Sequence, residues 1–328
     1  MANRQFRIKR LVNQVAVVEG GFATLDLPRG YDIETIGYRL NGTLNITTTE
    51  TGVIRAESPI QIIRRVEVIA DGKNTLESVR GDMMNRGVMA LRRGQLGSLV
   101  PPTALAVAAY PIMASFAIDQ SMVDGLRPKD SNLRSSGMQL LQTKFTFGLA
   151  QDTFTPVAGA SNLSNTFVNV WTSELVEIPD PNTRQITRPL FLMKRSYQDI
   201  AISASNAALD VVLPIGNIMR GVIFRAEGFT TGGEPDNSTL VGIILRSLTD
   251  VRLNMSYLDL REQNKFDYGI VTLPTGIAIA DIMANGQEGG VRATEGWDLT
   301  RASEAKATLN VAAGTASKIS LLVIELLG

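Results

Sequence analysis

The sequence predicts an all-β protein built as two tandem eight-stranded antiparallel jelly-roll β-sandwiches with a few short helices, and three observations carry that reading. The first is a long-range echo: Leu27 to Gly42 reads LPRGYDIETIGYRLNG and Leu213 to Gly228 reads LPIGNIMRGVIFRAEG, with leucine, proline, two glycines and an arginine at the same offsets. A spacing of 186 residues far exceeds the roughly 20 to 50 residues of solenoid and propeller units, so it marks two copies of a whole domain. The second is that most apolar segments alternate with period two or form short β-branched runs. The third is that helix patterns are too sparse to alternate with those strands, which leaves sandwich or barrel architectures.

In the first half, Val15–Val18, Thr24–Leu27, Leu44–Thr48, Arg65–Ile69, Lys144–Phe147 and Phe167–Trp171 read as strands. The second half supplies Asp199–Ile202, Leu209–Leu213, Gly221–Arg225, Val241–Leu245, Val251–Met255, Thr308–Val311 and Lys318–Ile324. Asn41-Gly42 and Asp71-Gly72 have the chemistry of turns. A helix is expected from about Leu76 to Arg93, where Met83, Met84, Val88, Met89 and Leu91 form an apolar stripe, and a shorter one near Tyr257 to Phe266. Two weaker echoes follow the first. Ile62-Ile63-Arg64-Arg65-Val66 resembles Ile244-Leu245-Arg246-Ser247-Leu248, and Trp171 to Val176 resembles Leu322 to Leu327 at the shorter spacing of 151.

The proline-rich stretch Ile178 to Gln185 reads as a linker. The expected organisation is a basic arm and first strand over 1–18, a first jelly roll over 19–178, a linker over 179–195 and a second jelly roll over 196–328. Long polar connections, such as Asp119 to Met138 and Asn285 to Ala305, would gather at the ends of the sandwiches.

Composition excludes more than it suggests. The chain has 32 basic and 32 acidic residues, so no global field draws it to a polyanion. Cysteine and histidine are both absent, which removes disulfide stapling, zinc sites of the usual kind, Ser-His-Asp triads and Cys-His dyads. The N-terminus lacks the apolar core of a secretion signal. Gly94 to Ile118 is uncharged over 25 residues, above the roughly 20 a spanning helix needs, but Pro101, Pro102 and Pro111 interrupt it, so it reads as a loop and a buried strand. Arginine outnumbers lysine 24 to 8, a bias that suits partly buried interfaces.

No phosphate-cradling glycine pattern occurs. Ser303-Glu304-Ala305-Lys306 has the SxxK spacing of acyl-transfer enzymes without its companion segments, and reads as coincidence. Asp180, Glu234 and Asp236 could ligate a hard cation but lack EF-hand spacing, and read as turn residues; no cofactor or metal is expected. One charge run stands out. Arg4, Arg7, Lys9 and Arg10 precede the first acidic residue, Glu19, and alternate with Phe6 and Ile8. Such a segment either touches an anionic partner, lipid headgroups or nucleic acid, or packs as an ordinary strand or arm on a neighbouring subunit.

Two strand-rich halves, each with a Leu-Pro-x-Gly turn feeding an apolar strand (Leu27-Pro28-Arg29-Gly30 and Leu213-Pro214-Ile215-Gly216), joined by a proline-containing linker and lacking a catalytic constellation, resemble the double jelly-roll major capsid proteins of tailless icosahedral viruses. That family includes those of bacterial viruses with an internal membrane and the adenovirus hexon. The resemblance implies a non-enzymatic virion protein assembled in the host cytoplasm. It further implies homotrimers whose six rolls imitate a hexamer and tile an icosahedral shell. Implied partners are other copies of the chain, minor capsid and vertex proteins, and internal membrane lipids or the genome through Arg4, Arg7, Lys9 and Arg10. Two alternatives stay open at this level: a carbohydrate-binding or host-attachment β-sandwich, and a carboxylate-dependent glycoside hydrolase.

Overall fold

The computed structural model describes residues 4–88, 97–120, 131–155, 159–178, 192–228, 234–248, 250–282, 296–312 and 317–327. Sixteen strands form the frame. The first eight are β1 (Arg4–Ala16), β2 (Phe22–Asp26), β3 (Asp32–Thr48), β4 (Ile63–Ala70), β5 (Asn74–Val79), β6 (Ala108–Asp119), β7 (Leu141–Phe147) and β8 (Ala160–Ile178). The second eight are β9 (Leu192–Ile202), β10 (Asn206–Val212), β11 (Ile218–Glu227), β12 (Leu240–Ser247), β13 (Asp250–Ser256), β14 (Ile277–Asp281), β15 (Lys306–Val311) and β16 (Ser317–Leu327). Two-residue strands such as Val53–Ile54 and Leu99–Val100 decorate them.

Both halves pair in one order. The first gives β1-β8-β3-β6 and β2-β7-β4-β5, and the second gives β9-β16-β11-β14 and β10-β15-β12-β13. Each strand of the first half therefore has its counterpart eight strands later, and each set of eight folds as an antiparallel jelly roll. One parallel bridge, Arg195 to Glu77, joins β9 to β5 and merges a sheet of each roll into one continuous sheet.

Local chemistry explains the strands. In β7, Leu141, Thr143, Phe145 and Phe147 are buried while Gln142, Lys144 and Thr146 are half-buried, the alternation of a sheet with one face on a core. Tyr38 of β3 stacks on Phe116 at 5.0 Å between ring centroids and meets Phe145 edge-on at 5.6 Å, tying the two sheets of the first roll together. The second roll closes around Phe224, Trp297, Leu321 and Tyr257.

The long echo is a structural equivalence. Leu27 and Leu213 are buried, and their N–H groups donate to the carbonyls of Leu141 and Ala305, at 2.8 and 2.9 Å, at the start of the equivalent strands β7 and β15. Gly30 and Gly216 both hold positive φ, +139° and +93°, which explains the glycine in each Leu-Pro-x-Gly turn. The ladders slip at Glu34 in β3 and at Arg220 in β11, again 186 residues apart. The third echo is in register too: Val170 pairs with Tyr38, and Leu321 pairs with Phe224. The second echo falls on equivalent strands, β4 and β12, but out of register. Gln142 and Lys306 each follow the residue that accepts the echoed leucine's N–H, and they pair with Ile69 and Arg246, so Arg246 corresponds to Ile69 and not to Arg64.

Two expectations need correction. Leu76 to Val79 lie in β5, not in a helix; short helical turns follow at Gly81–Met83 and Met84–Val88, and residues 89–93 lie outside the described residues. Leu192 to Arg195 open β9, and the rest of the expected linker, 179–191, lies outside the described residues. The basic arm is a strand paired with β8 along its length, from Arg4 to Ala16. The second helix is α1 (Tyr257–Tyr268), capped by the Ser256 side chain, which accepts from the Asp259 N–H at 3.1 Å, and closed by Gly269 at positive φ. It follows β13 as the helical turns follow β5. No helix among the described residues is long and apolar enough to cross a membrane.

Candidate functional site

The densest concentration of buried charge lies where the two rolls meet. The sheet β9-β16-β11-β14 uses both of its faces: Val222, Phe224, Leu321 and Val323 point into the second roll, while Ile223, Leu322, Ile324 and Met193 join the core of the first. Toward one end of that outward face the apolar residues give way to charges. Arg225, 1 % exposed, is held by Glu57 and, through Nε, by Glu227 Oε1 at 2.8 Å, with Asp82 at 3.5 Å. Arg80 pairs with Asp82, reaches Glu227 at 3.1 Å and donates to Ser320 Oγ at 3.2 Å. Lys318 closes on Glu227 at 3.0 Å. Nearby, Arg195 meets Glu77 at 2.8 Å, and Gln120 donates to the same carboxylate at 2.7 Å.

Glu57, Glu77, Arg80 and Asp82 belong to the first half and Arg195, Arg225, Glu227 and Lys318 to the second, so the seam is ionic and cross-paired. Burial pushes the carboxyls of Glu57 and Glu77 up to about 7, against the pull of Arg225 and Arg195 respectively. Burial also acts on Asp82 and Glu227, but Arg225 and Arg80 outweigh it and hold both below the ordinary carboxylate range. Removing one member of such a network leaves a buried charge uncompensated. The arrangement ties the two halves of the chain together through buried ion pairs, and the Ser320 and Tyr197 hydroxyls both donate to Asp199 at its rim.

An open cleft of about 350 Å³ sits over the seam, lined by Arg55, Arg64, Arg80, Asp152, Tyr197 and Lys318 among others. Its charges are matched in cis: Arg64 with Asp152 at 2.8 Å and Arg55 with Glu234 at 3.2 Å. No cluster of carboxylates that could hold a metal ion occurs among the described residues. Glu234 is the partner of Arg55, Asp236 accepts from Ser238 and Thr239, and Asp180 lies outside the described residues. Ser303 and Lys306 share no helix: Lys306 opens β15 and is paired with Glu304 at 2.7 Å. Trp297 is buried and Trp171 lies against Gly37, where an added Cβ would fall 2.0 Å from the indole. Trp297 is therefore closed to a ligand, while Trp171 is half-buried on its sheet.

The four basic residues of the N-terminal strand do not share one environment. Arg7 pairs with Glu34, with a second contact at 3.0 Å, and this bond holds its guanidinium above the usual range. Arg10 pairs with the buried Glu174 at 2.8 Å. Lys9 is exposed, and the backbone of Arg4 pairs with Ile178. Sequence reasoning missed the seam because its members are scattered from Glu57 to Ser320 with no motif. The available signal was Arg225-Ala226-Glu227, two charges at alternate positions of an apolar strand.

No protein-family model and no curated protein matches the sequence. Solved structures do match the fold. The chain is similar to the STIV MCP, a major capsid protein, at 16 % identity over 99 % of this chain and 97 % of that one, with a TM-score of 0.74. It is also similar to the major capsid protein P2 from bacteriophage PM2 at 12 % identity, 98 % of each chain and a TM-score of 0.60. A third is PBCV-1 VP54, at 10 % identity over 99 % and 94 % with a TM-score of 0.62. The chain thus has the double jelly-roll fold of these capsid proteins along almost its entire length.

Proposed function

We propose that this double jelly-roll chain is a viral major capsid protein, three copies of which form a capsomer of six similar wedges that tiles an icosahedral shell. The observation that carries the reading is the duplication itself. One chain presents the same eight-stranded unit twice in the same strand order, so three-fold closure supplies a near six-fold outline. The likeness to the capsid proteins above supports it, because it spans nearly the whole of each chain and not one roll.

The role is structural and non-enzymatic. The buried ionic seam locks the two rolls of one chain at a fixed angle, and association buries the surface left over. Neighbouring capsomers, minor capsid and vertex proteins would meet the loops and outer edges, within a virion assembled in the host cytoplasm. We assign the basic residues of β1 to subunit contact and not to lipid or genome, since Arg7 and Arg10 already face carboxylates of their own chain. Negative-stain electron microscopy of the purified protein tests the reading. Six-lobed particles with three-fold symmetry are expected; isolated two-lobed particles at every salt and protein concentration would refute it.

A further inference from the structure

The two equivalent sheets β1-β8-β3-β6 and β9-β16-β11-β14 differ in what covers their outward faces. In the second, Met193, Arg195, Ile223, Arg225 and Leu322 are buried. Cover comes in cis from the first roll: the helical turns after β5 bring Gly87 so close that an added Cβ would fall 2.9 Å from Ile223, and β5 itself bridges to the edge strand β9. The ladders and the 186- and 151-residue offsets identify the counterparts of those five residues as Arg7, Lys9, Gly37, Arg39 and Trp171. Arg7, Lys9 and Arg39 are exposed, Trp171 is half-buried, and Leu11 beside it is 67 % exposed. Nothing among the described residues covers this face as the second one is covered.

The counterparts of the covering elements are equally unpartnered. β13, which corresponds to β5, is an edge strand of its sheet. The helix α1, which corresponds to the turns after β5, exposes Leu258 and Phe266, the latter 78 % exposed, on one stripe at i and i+8. Charge agrees as well: the open sheet face carries Lys9 and Arg39 beside Arg7, which is paired with Glu34, and the exposed side of α1 carries Asp259 and Asp267 beside Glu262, which is paired with Lys265.

Resting on the capsomer reading above, we propose that a second copy of the chain seats on the outward face of β1-β8-β3-β6, laying its α1 over Gly37, Arg39 and Trp171 and its β13 edge beside β1. The contact repeats in trans what the first roll does to the second in cis. It is head-to-tail, so it closes into a ring instead of a two-fold pair.

The chain contains no cysteine, which makes thiol cross-linking a clean test. Tyr197 and Arg64 line one cleft in cis, and their counterparts are Leu11 and Val241, both exposed. The full chain carrying Leu11→Cys and Val241→Cys together, treated with a flexible bis-maleimide, gives covalent dimers and trimers on a denaturing gel; either single variant gives none. Cross-linking by a single variant, or trimers by light scattering that do not cross-link in the double variant, overturns this interface while leaving the capsomer reading intact. Monomers by light scattering overturn both. Independently, Phe266→Asp weakens association by at least about tenfold, whereas Val212→Asp, at the exposed end of β10 on the edge of the sheet opposite β13, leaves it unchanged; equal effects contradict the proposed seat.

Discussion

Arg225 and Arg39 occupy the same place in the two rolls, and their surroundings could hardly differ more. Arg225 is buried among three carboxylates, Glu57, Asp82 and Glu227, whereas Arg39 is exposed on an open sheet. The strands around them follow suit. β16 reads SKISLLVIELL and is buried on both faces, while the matching part of β8 alternates between half-buried and buried from Phe167 to Thr172 before Ser173 and Glu174 are both buried at the bulge. Duplication has kept the backbone and changed the side chains: one outward face is covered by the same chain, and the other is left uncovered among the described residues.

The sharpest way to break this comparison is to truncate the two arginines. Arg225→Ala should destabilise the chain by about 3 to 5 kcal/mol, the usual consequence of leaving buried charges uncompensated, read from the midpoint of urea unfolding. Arg39→Ala should change that midpoint by less than about 0.5 kcal/mol and act on association instead. Similar losses at both sites would mean that the two faces are not differently covered.

A smaller effect is expected at Gly37. Alanine there drives a methyl group into the Trp171 indole, which should cost about 1 to 3 kcal/mol through overpacking and disturb the face proposed to receive a second copy. In the Leu-Pro-x-Gly turns, Gly30→Ala and Gly216→Ala should each cost on the order of 1 kcal/mol, because both glycines hold positive φ. Near-equal values from thermal unfolding would sharpen the equivalence; a loss in one roll alone would weaken it.

The seam also predicts a pH dependence. Glu57 and Glu77 have carboxyls raised from the ordinary 4.5 to about 7, so the folded state holds more protons than the unfolded one between those values. Their contribution to stability is complete below about 4.5 and is lost as pH rises toward 7. Asp82 and Glu227 are lowered and act in the opposite sense, only at pH below their ordinary range. Glu77→Gln should therefore flatten the decline in urea midpoint between pH 4.5 and 7; an unchanged slope would remove Glu77 from this account.

Much of the fold was legible in the sequence. The Leu27 and Leu213 echo marks a true equivalence because a buried leucine, a proline and a positive-φ glycine are each demanded by the turn they make. β5 was misread because Leu76, Glu77, Ser78 and Val79 are all buried at the junction of the rolls, which erases period two, while Leu76, Met83 and Met84 happen to fall at helical spacing. The second echo chose the right strands in the wrong register, since short β-branched runs resemble one another at several alignments. The site was the least legible part. Its charges come from both rolls and only topology brings them together, whereas the basic run at Arg4, Arg7, Lys9 and Arg10 stood out in sequence although β1 splits it between two faces and two carboxylate partners.

The central claim, that a face covered in cis in one roll is covered in trans in the other, is tested most directly by native mass spectrometry of the full chain. The account predicts a dominant species of about 107 kDa, three times the 35.5 kDa chain, that falls apart toward monomers when Phe266 is replaced by aspartate. A monomer under all conditions, or a two-fold dimer as the stable species, would contradict it.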